Sequence, residues 1–228
     1  MDYRTAAAMN ARRALQVISF LLGVSYLAAL PAYPYAASPV VKGLSIAILA
    51  VLPWMLRPVR HRRNAGLLSA ALIASSAGDV LLDADPERLF VPGLCAFLAA
   101  HLIYAALFVT NRSCWEEVKT PRRVLLIAVP IYVFLISIWL IPDTGPLKIP
   151  VAIYIVAITA MASTALGSRF SWRVPAGALL FVMSDTLLAI AKFKGAFRAR
   201  DYLVWATYYA AQYLIVTGAL ENGGKLPA

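Results

Sequence analysis

Acidic side chains interrupt two long apolar stretches of this 228-residue sequence. Asp79 lies within SSAGDVLLD and Asp185 within MSDTLL, and Asp83 follows Asp79 by one helical turn on the same face. An acidic residue inside hydrocarbon costs about 2.5–3.5 kcal/mol, so it tends to face a cavity or a polar partner. Two carboxylates in one apolar cavity are suited to acid–base chemistry, because burial and mutual repulsion keep one protonated while the other is ionised.

A few other polar residues accompany these aspartates in apolar surroundings. His101 and Tyr104 share one helical face, Tyr208 and Gln212 share another, and Lys42 stands near the start of a further segment. We expect the four uncharged residues to orient water and hold the aspartates. The alternative is that polar partners satisfy the aspartates and only lock the packing of the helices.

The composition places these residues in a membrane. Hydrophobic residues make up 61% of the chain and charged residues 14%, against roughly 25% charged in an ordinary soluble domain. The mean hydropathy of +0.74 agrees with this. A membrane-spanning helix needs about 20 apolar residues, which predicts an all-α polytopic protein, one integral membrane domain over residues 1–228. The eight predicted helices are about 14–33, 37–56, 65–83, 90–109, 123–141, 148–167, 173–192 and 202–221.

The basic residues predict the orientation. With both termini cytoplasmic, 14 of the 21 Lys and Arg fall on the inner side, as the positive-inside rule requires. The exception is the loop before the last helix, which carries Lys192 and Lys194. In this orientation the aspartates and their polar neighbours lie in the outer half of the membrane, which predicts a cavity opening outward. No basic stretch is interleaved with aromatics outside the apolar segments, so the +10 net charge does not indicate a nucleic-acid partner.

A weak internal repeat relates the two aspartates. An offset of 106 residues superposes GDVLL, around Asp79, on SDTLL, around Asp185. The copies lie four predicted helices apart, in the third and the seventh, so the chain would consist of two parallel four-helix repeats whose aspartates face one pocket.

Four motifs follow one another around these residues. They are Gly78-Asp79; Phe90-x2-Gly93-Leu94-x2-Phe97-x3-His101-x2-Tyr104; Ser184-Asp185-x3-Ala189-x3-Phe193; and Tyr208-Tyr209-Ala210-Ala211-Gln212-x-Leu214-Ile215. Taken in order, these motifs resemble those of the YhhN-like family of eight-helix membrane proteins, whose characterised members are lysoplasmalogenases. The resemblance runs from about residue 40 to residue 218, with Gly43 standing where the family tends to have proline after Lys42.

The resemblance implies hydrolysis of the vinyl ether of a lysoplasmalogen, releasing a fatty aldehyde and a glycerophospho-headgroup, with Asp79 and Asp185 as the catalytic pair. This chemistry passes through an oxocarbenium ion and requires neither metal nor cofactor. Lys42, Lys192 and Lys194 lie on the side from which a phosphate-bearing lysolipid would enter. Asp83 could attract an ammonium headgroup or pair with Lys42.

Two other functions fit part of the pattern. A small transporter or proton-coupled carrier would also carry paired intramembrane aspartates near a repeat axis. A metal-dependent lipid hydrolase could use His101 with Asp79 and Asp185, but His61 is the only other histidine of the chain, which makes a poor ligand set for zinc.

Overall fold

The computed structural model of the protein describes residues 3–55 and 62–221. His61 and the last residue of the predicted segment 37–56 lie outside these ranges. Within them the ordered elements are α-helices and short 3-10 helices, with one isolated bridge between Arg112 and Ser168 and no β-strand. The predicted all-α class is confirmed.

Nine α-helices follow one another in the described residues. A 3-10 turn over Ile48–Val51 connects α2 to α3 without a loop. It precedes Pro53, which lacks the N–H that would bond the carbonyl of Leu49. The helices are α1 Tyr3–Ala29, α2 Ser38–Ala47, α3 Leu52–Met55, α4 Arg62–Ala84, α5 Phe90–Val109, α6 Thr120–Leu140, α7 Lys148–Leu166, α8 Arg173–Phe193 and α9 Arg200–Glu221.

Seven helical segments of the described chain are long and apolar enough to cross a membrane. The protein is therefore an integral membrane protein. The eighth predicted segment forms α9, which has sufficient length but carries four tyrosines and Gln212, and it is not among the seven. The seven segments are Met9–Ala32, Ser38–Met55, Arg62–Ala84, Phe90–Val109, Thr120–Asp143, Gly145–Leu166 and Arg173–Phe193.

The chain divides into two compact units, the first ending at Ile103 and the second beginning at Tyr104. In the first unit, serine hydroxyls join helices by donating to backbone carbonyls. Ser19 Oγ donates to the carbonyl of Ser45 at 2.6 Å, and Ser76 Oγ donates to that of Gly43 at 2.8 Å. A Cβ at Gly43 would lie 2.5 Å from Val80 Cγ2, so α2 and α4 approach too closely for a larger residue.

In the second unit, α8 packs along α9 with similar devices. Ser184 Oγ donates to the carbonyl of Val204 at 2.9 Å. A Cβ at Gly177 would lie 2.7 Å from the backbone oxygen of Ala211, so the two helix backbones are nearly in contact there. Gly195, with a φ of 122°, provides the turn between the two helices, a conformation that side chains disfavour.

Candidate active site

A polar cluster surrounds Asp83 in the first unit. Tyr26 donates its hydroxyl to Asp83 Oδ1 at 2.6 Å, and Lys42 Nζ lies 3.6 Å from the same oxygen. Tyr33 donates to the backbone carbonyl of Asp83 at 3.4 Å. The Asp83 side chain is 2% exposed, and its Oδ2 has no hydrogen-bond partner in the described part of the chain. Of the two expectations for Asp83, the pair with Lys42 is observed.

The cluster lies where three helices of this unit end or begin. Tyr26 is one turn from the end of α1, Lys42 is one turn past the start of α2, and Asp83 is next to the last residue of α4. Tyr35, in the connection between α1 and α2, lies near them: partial burial and the negative charge of Asp83 raise the pKa of its phenol. Tyrosines are enriched at this level, where a helix leaves the hydrocarbon.

Asp79 lies one turn deeper in α4, with 2% of its surface exposed. The glycine before it allows α5 to approach, because a Cβ at Gly78 would lie 2.6 Å from Phe97 Cδ2. His101 of α5 is completely buried. Asp79 and Asp83 are both buried, as expected for two residues on one helical face.

Asp185 is half-buried on α8 in the second unit. Tyr154 of α7 donates its hydroxyl to Asp185 Oδ2 at 2.5 Å, a short hydrogen bond. Tyr154 was not among the site residues predicted from the sequence. Its phenol is the only polar group in the run IPVAIYIVAI before Thr159, and this isolation inside an apolar helix was the available signal.

Three of the remaining predicted residues hold one another in the second unit. Tyr104 donates to Gln212 Oε1 at 2.6 Å, and Gln212 Nε2 donates to the hydroxyl of Tyr208 at 3.3 Å. All three are buried, and the ring of Tyr208 packs edge-on against Phe181 at 5.3 Å between centroids. This chain of hydrogen bonds supplies one partner to each buried polar group and joins α5 to α9.

The two predicted lysines at the end of α8 differ in their surroundings. Lys194 forms an ion pair with Asp143, and its ammonium lies 4.7 Å from the centroid of the Trp139 ring. Lys192 is exposed in the last turn of the helix. The positive charge of Lys194 is therefore partly neutralised by its carboxylate partner.

The predicted site residues are thus divided between the units. The first unit contains Lys42, Asp79, Asp83 and His101, and the second contains Tyr104, Asp185, Lys192, Lys194, Tyr208 and Gln212.

Across residues 3–55 and 62–221, no group of three or more His, Cys, Asp or Glu side chains is arranged to hold a metal ion.

Comparison with known proteins identifies relatives over most of the chain. The chain is 34% identical to the human protein named lysoplasmalogenase TMEM86B over 185 residues, which cover 80% of this chain and 75% of the relative. It is 35% identical to a lysoplasmalogenase of Mycobacterium bovis over 181 residues, covering 76% and 67%. It is 31% identical to bovine lysoplasmalogenase TMEM86A over 169 residues, covering 70% and 67%.

No solved structure matches the chain. The family comparison covers residues 37–219, which include all ten predicted site residues as well as Tyr154. This range and the identities to the named relatives agree with the resemblance in the motifs around Asp79 and Asp185. The chain belongs to the YhhN family.

Proposed function

We propose that this protein is a membrane hydrolase that cleaves the vinyl ether of lysoplasmalogen-type lysophospholipids. The observation that carries the proposal is the relationship to proteins named lysoplasmalogenase at 34–35% identity over at least three quarters of this chain. The carboxylates on α4 and α8 add the acid–base groups that such a reaction needs. The bilayer would supply the substrate.

The reaction begins with proton transfer to carbon. One carboxylic acid protonates the alkenyl carbon that is not bonded to oxygen, and the positive charge spreads over the neighbouring carbon and the ether oxygen as an oxocarbenium ion. Water then adds to that carbon and loses a proton to a carboxylate, giving a hemiacetal. Transfer of the hydroxyl proton to the glycerol oxygen breaks the C–O bond. One water is consumed, and the products are a fatty aldehyde and a glycerophospho-headgroup.

Asp79 and Asp185 are the residues proposed for these proton transfers. Asp79 supports the proposal by its burial inside a membrane helix, because an ionisable residue is costly there and so indicates a candidate functional site. Asp185 supports it through its position inside a membrane helix and through the short hydrogen bond from Tyr154, which orients the carboxylate. One aspartate acts as the acid, and the other acts as the base or stabilises the cation, as in a glycosidase pair.

The other predicted residues take supporting roles in this proposal. Tyr104, Tyr208 and Gln212 form a hydrogen-bonded chain that can orient the attacking water, and His101 is a further buried candidate for that role. Lys192 would attract the phosphate of the lysolipid from the outer side, with Lys194 weakened by its pair with Asp143.

The test measures aldehyde release by the purified protein in detergent from a vinyl-ether lysophospholipid, beside its ester and alkyl-ether analogues. Asp79→Asn and Asp185→Asn should each reduce kcat by about 100-fold or more, since general acid–base catalysis contributes 10²–10⁴-fold. Asp201→Asn is the matched control, because Asp201 is an exposed carboxylate at the start of α9.

Three results would argue against this proposal. Full activity of an Asp79→Asn and Asp185→Asn double variant would refute the carboxylate mechanism. Loss of activity with chelators, restored by a divalent metal, would favour the metal-dependent hydrolase. Absence of aldehyde in detergent, combined with ion-driven uptake in vesicles, would favour a carrier, since a carrier works only across a membrane.

A further inference from the structure

We infer that Lys42 and Asp83 form a binding site for a zwitterionic amino-alcohol phosphate headgroup, with the ammonium donating to Asp83 Oδ2 and the phosphate facing Lys42. This inference rests on the proposed function, because it assigns the headgroup subsite of the same substrate.

The first support is the unused oxygen of Asp83. Oδ1 accepts from Tyr26 and faces Lys42, whereas the buried Oδ2 receives no donor in the described part of the chain. A buried carboxylate oxygen without a donor loses the hydration it would have in water, and a charged N–H donor is its best replacement. A primary ammonium supplies N–H donors. A quaternary ammonium does not.

The second support is the charge pattern. Lys42 and Asp83 form a pair of one cation and one carboxylate 3.6 Å apart, so the pair itself carries no net charge. A phosphoethanolamine headgroup likewise carries one negative and one positive charge, two carbons apart. Laid antiparallel along the pair, it brings each of its charges against the opposite charge of the protein. A headgroup with phosphate alone would leave Asp83 facing like charge.

The third support is the level of the cluster along the helices. Asp83 is one residue from the end of α4, and Lys42 is one turn inside the start of α2. Lipid headgroups lie where membrane helices end. Asp79 is four residues deeper, about 6 Å along the axis. The three-carbon glycerol of a lysolipid spans a comparable distance between its alkenyl ether and its phosphate.

The aromatic neighbours complete the site. Lys42 Nζ lies 5.4 Å from the ring centroid of Tyr26, so this ring already faces a cation. Tyr33 holds the Asp83 backbone through its hydroxyl. Aromatic rings attract ammonium groups of either kind. The hydrogen bond to Oδ2 is what separates ethanolamine from choline.

The experiment compares three vinyl-ether lysophospholipids with ethanolamine, choline or no amino alcohol on the phosphate. In the unmodified protein KM should be lowest for ethanolamine and highest for the bare phosphate. Asp83→Asn should raise KM for the ethanolamine substrate about tenfold, the effect of losing roughly one charged hydrogen bond. It should leave KM for the bare phosphate equal or lower, and kcat within about twofold, since the Asp79 chemistry is untouched.

Lys42→Gln should raise KM for all three substrates, because all carry phosphate. The double variant Lys42→Gln with Asp83→Asn removes both charges, leaves no buried charge without its partner and retains groups that can hydrogen bond. It therefore tests the inference where a single variant does not fold. It should abolish the preference among headgroups. The matched control is the double variant Arg173→Gln with Glu221→Gln, which removes an exposed ion pair of the second unit whose side chains meet at 2.5 Å. This control should keep the preference for the ethanolamine headgroup.

Two outcomes would overturn the inference. One is a double variant with unchanged KM ratios but a lower unfolding temperature, which would make the pair purely structural. The other is a preference of the unmodified protein for choline over ethanolamine. Failure of this inference can be distinguished from failure of the proposed function by measuring the binding of non-cleavable alkyl-ether lysolipids through tryptophan fluorescence. A protein that releases no aldehyde but still discriminates among their headgroups would support the headgroup site and argue against the proposed reaction.

Discussion

The hydrogen bond between Tyr154 and Asp185 allows a quantitative test of the catalytic role proposed for Asp185. Tyr154→Phe removes one hydroxyl and keeps the ring that packs in α7. In the protein this hydroxyl holds Asp185 Oδ2 at 2.5 Å. Without it, the carboxylate loses a hydrogen bond that favours its present side-chain conformation, so other conformations become more populated.

The size of the effect follows from the free energy of the bond. Side-chain hydrogen bonds between membrane helices contribute on average about 0.6 kcal/mol, with a maximum of about 1.7 kcal/mol. The fraction of carboxylates in the held conformation should fall by the corresponding Boltzmann factor, about 3- to 20-fold. The short distance favours the upper part of this range. With Asp185 in its proposed catalytic role, kcat should fall by that factor and KM should stay unchanged, because Tyr154 would act by positioning that carboxylate.

The assay is steady-state aldehyde release in detergent, with the thermal unfolding temperature measured on the same samples. Tyr132→Phe is the matched control, because Tyr132 lies on α6 of the same unit with 42% of its surface exposed. In an Asp185→Asn background, Tyr154→Phe should have no further effect on the residual rate. An undiminished kcat in Tyr154→Phe, while Asp185→Asn is inactive, would refute the positioning argument.

Two further predictions concern packing and substrate capture. Gly177→Ala should lower the free energy of unfolding by about 1–3 kcal/mol, because the new methyl meets the backbone of Ala211 at 2.7 Å. The control Gly66→Ala, whose Cβ would be 3.9 Å from its nearest neighbour, should be neutral or slightly stabilising, since alanine favours the helix more than glycine does. Equal unfolding temperatures of the two variants in detergent would contradict the close approach of α8 and α9. Lys192→Gln should raise KM about fivefold at low salt, which is the contribution of one basic residue near a lipid surface. Lys194→Gln should have a smaller effect, because Asp143 already neutralises part of the Lys194 charge. Equal effects that persist at high salt would contradict phosphate attraction.

The positions of the helices could be predicted because hydrocarbon imposes a length on each apolar run. The predicted segment 90–109 coincides with α5, and 65–83 differs from α4 by only a few residues. The predicted helix bounds were least accurate where a helix extends beyond its apolar segment. α1 begins at Tyr3, well before the predicted residue 14, because a helix can continue into a polar sequence that contains arginines. Composition locates the membrane-embedded part of a helix and not its end.

The partners of the polar residues were much harder to predict. The pair between Lys42 and Asp83 was one of two expectations, since opposite charges near helix ends suggest it. The hydrogen bonds from Tyr26 and Tyr154 depend on how each helix is rotated against its neighbours, which a single sequence does not encode in any simple period. A tyrosine in an apolar run can lie in the protein interior, face lipid or belong to a functional site. Only the residues that pack around it distinguish these three environments.

The kind of partner distinguishes the two carboxylates whose contacts are best defined. Asp83 faces a lysine, so proton uptake by this carboxylate would leave a cation without its counter-charge. That makes Asp83 suited to binding a charged ligand and poorly suited to cycling a proton. Asp185 accepts from a neutral phenol, which remains a donor whether the carboxyl group is ionised or protonated. The surroundings of each side chain, and not its residue type, thus support assigning recognition to Asp83 and reaction to Asp185.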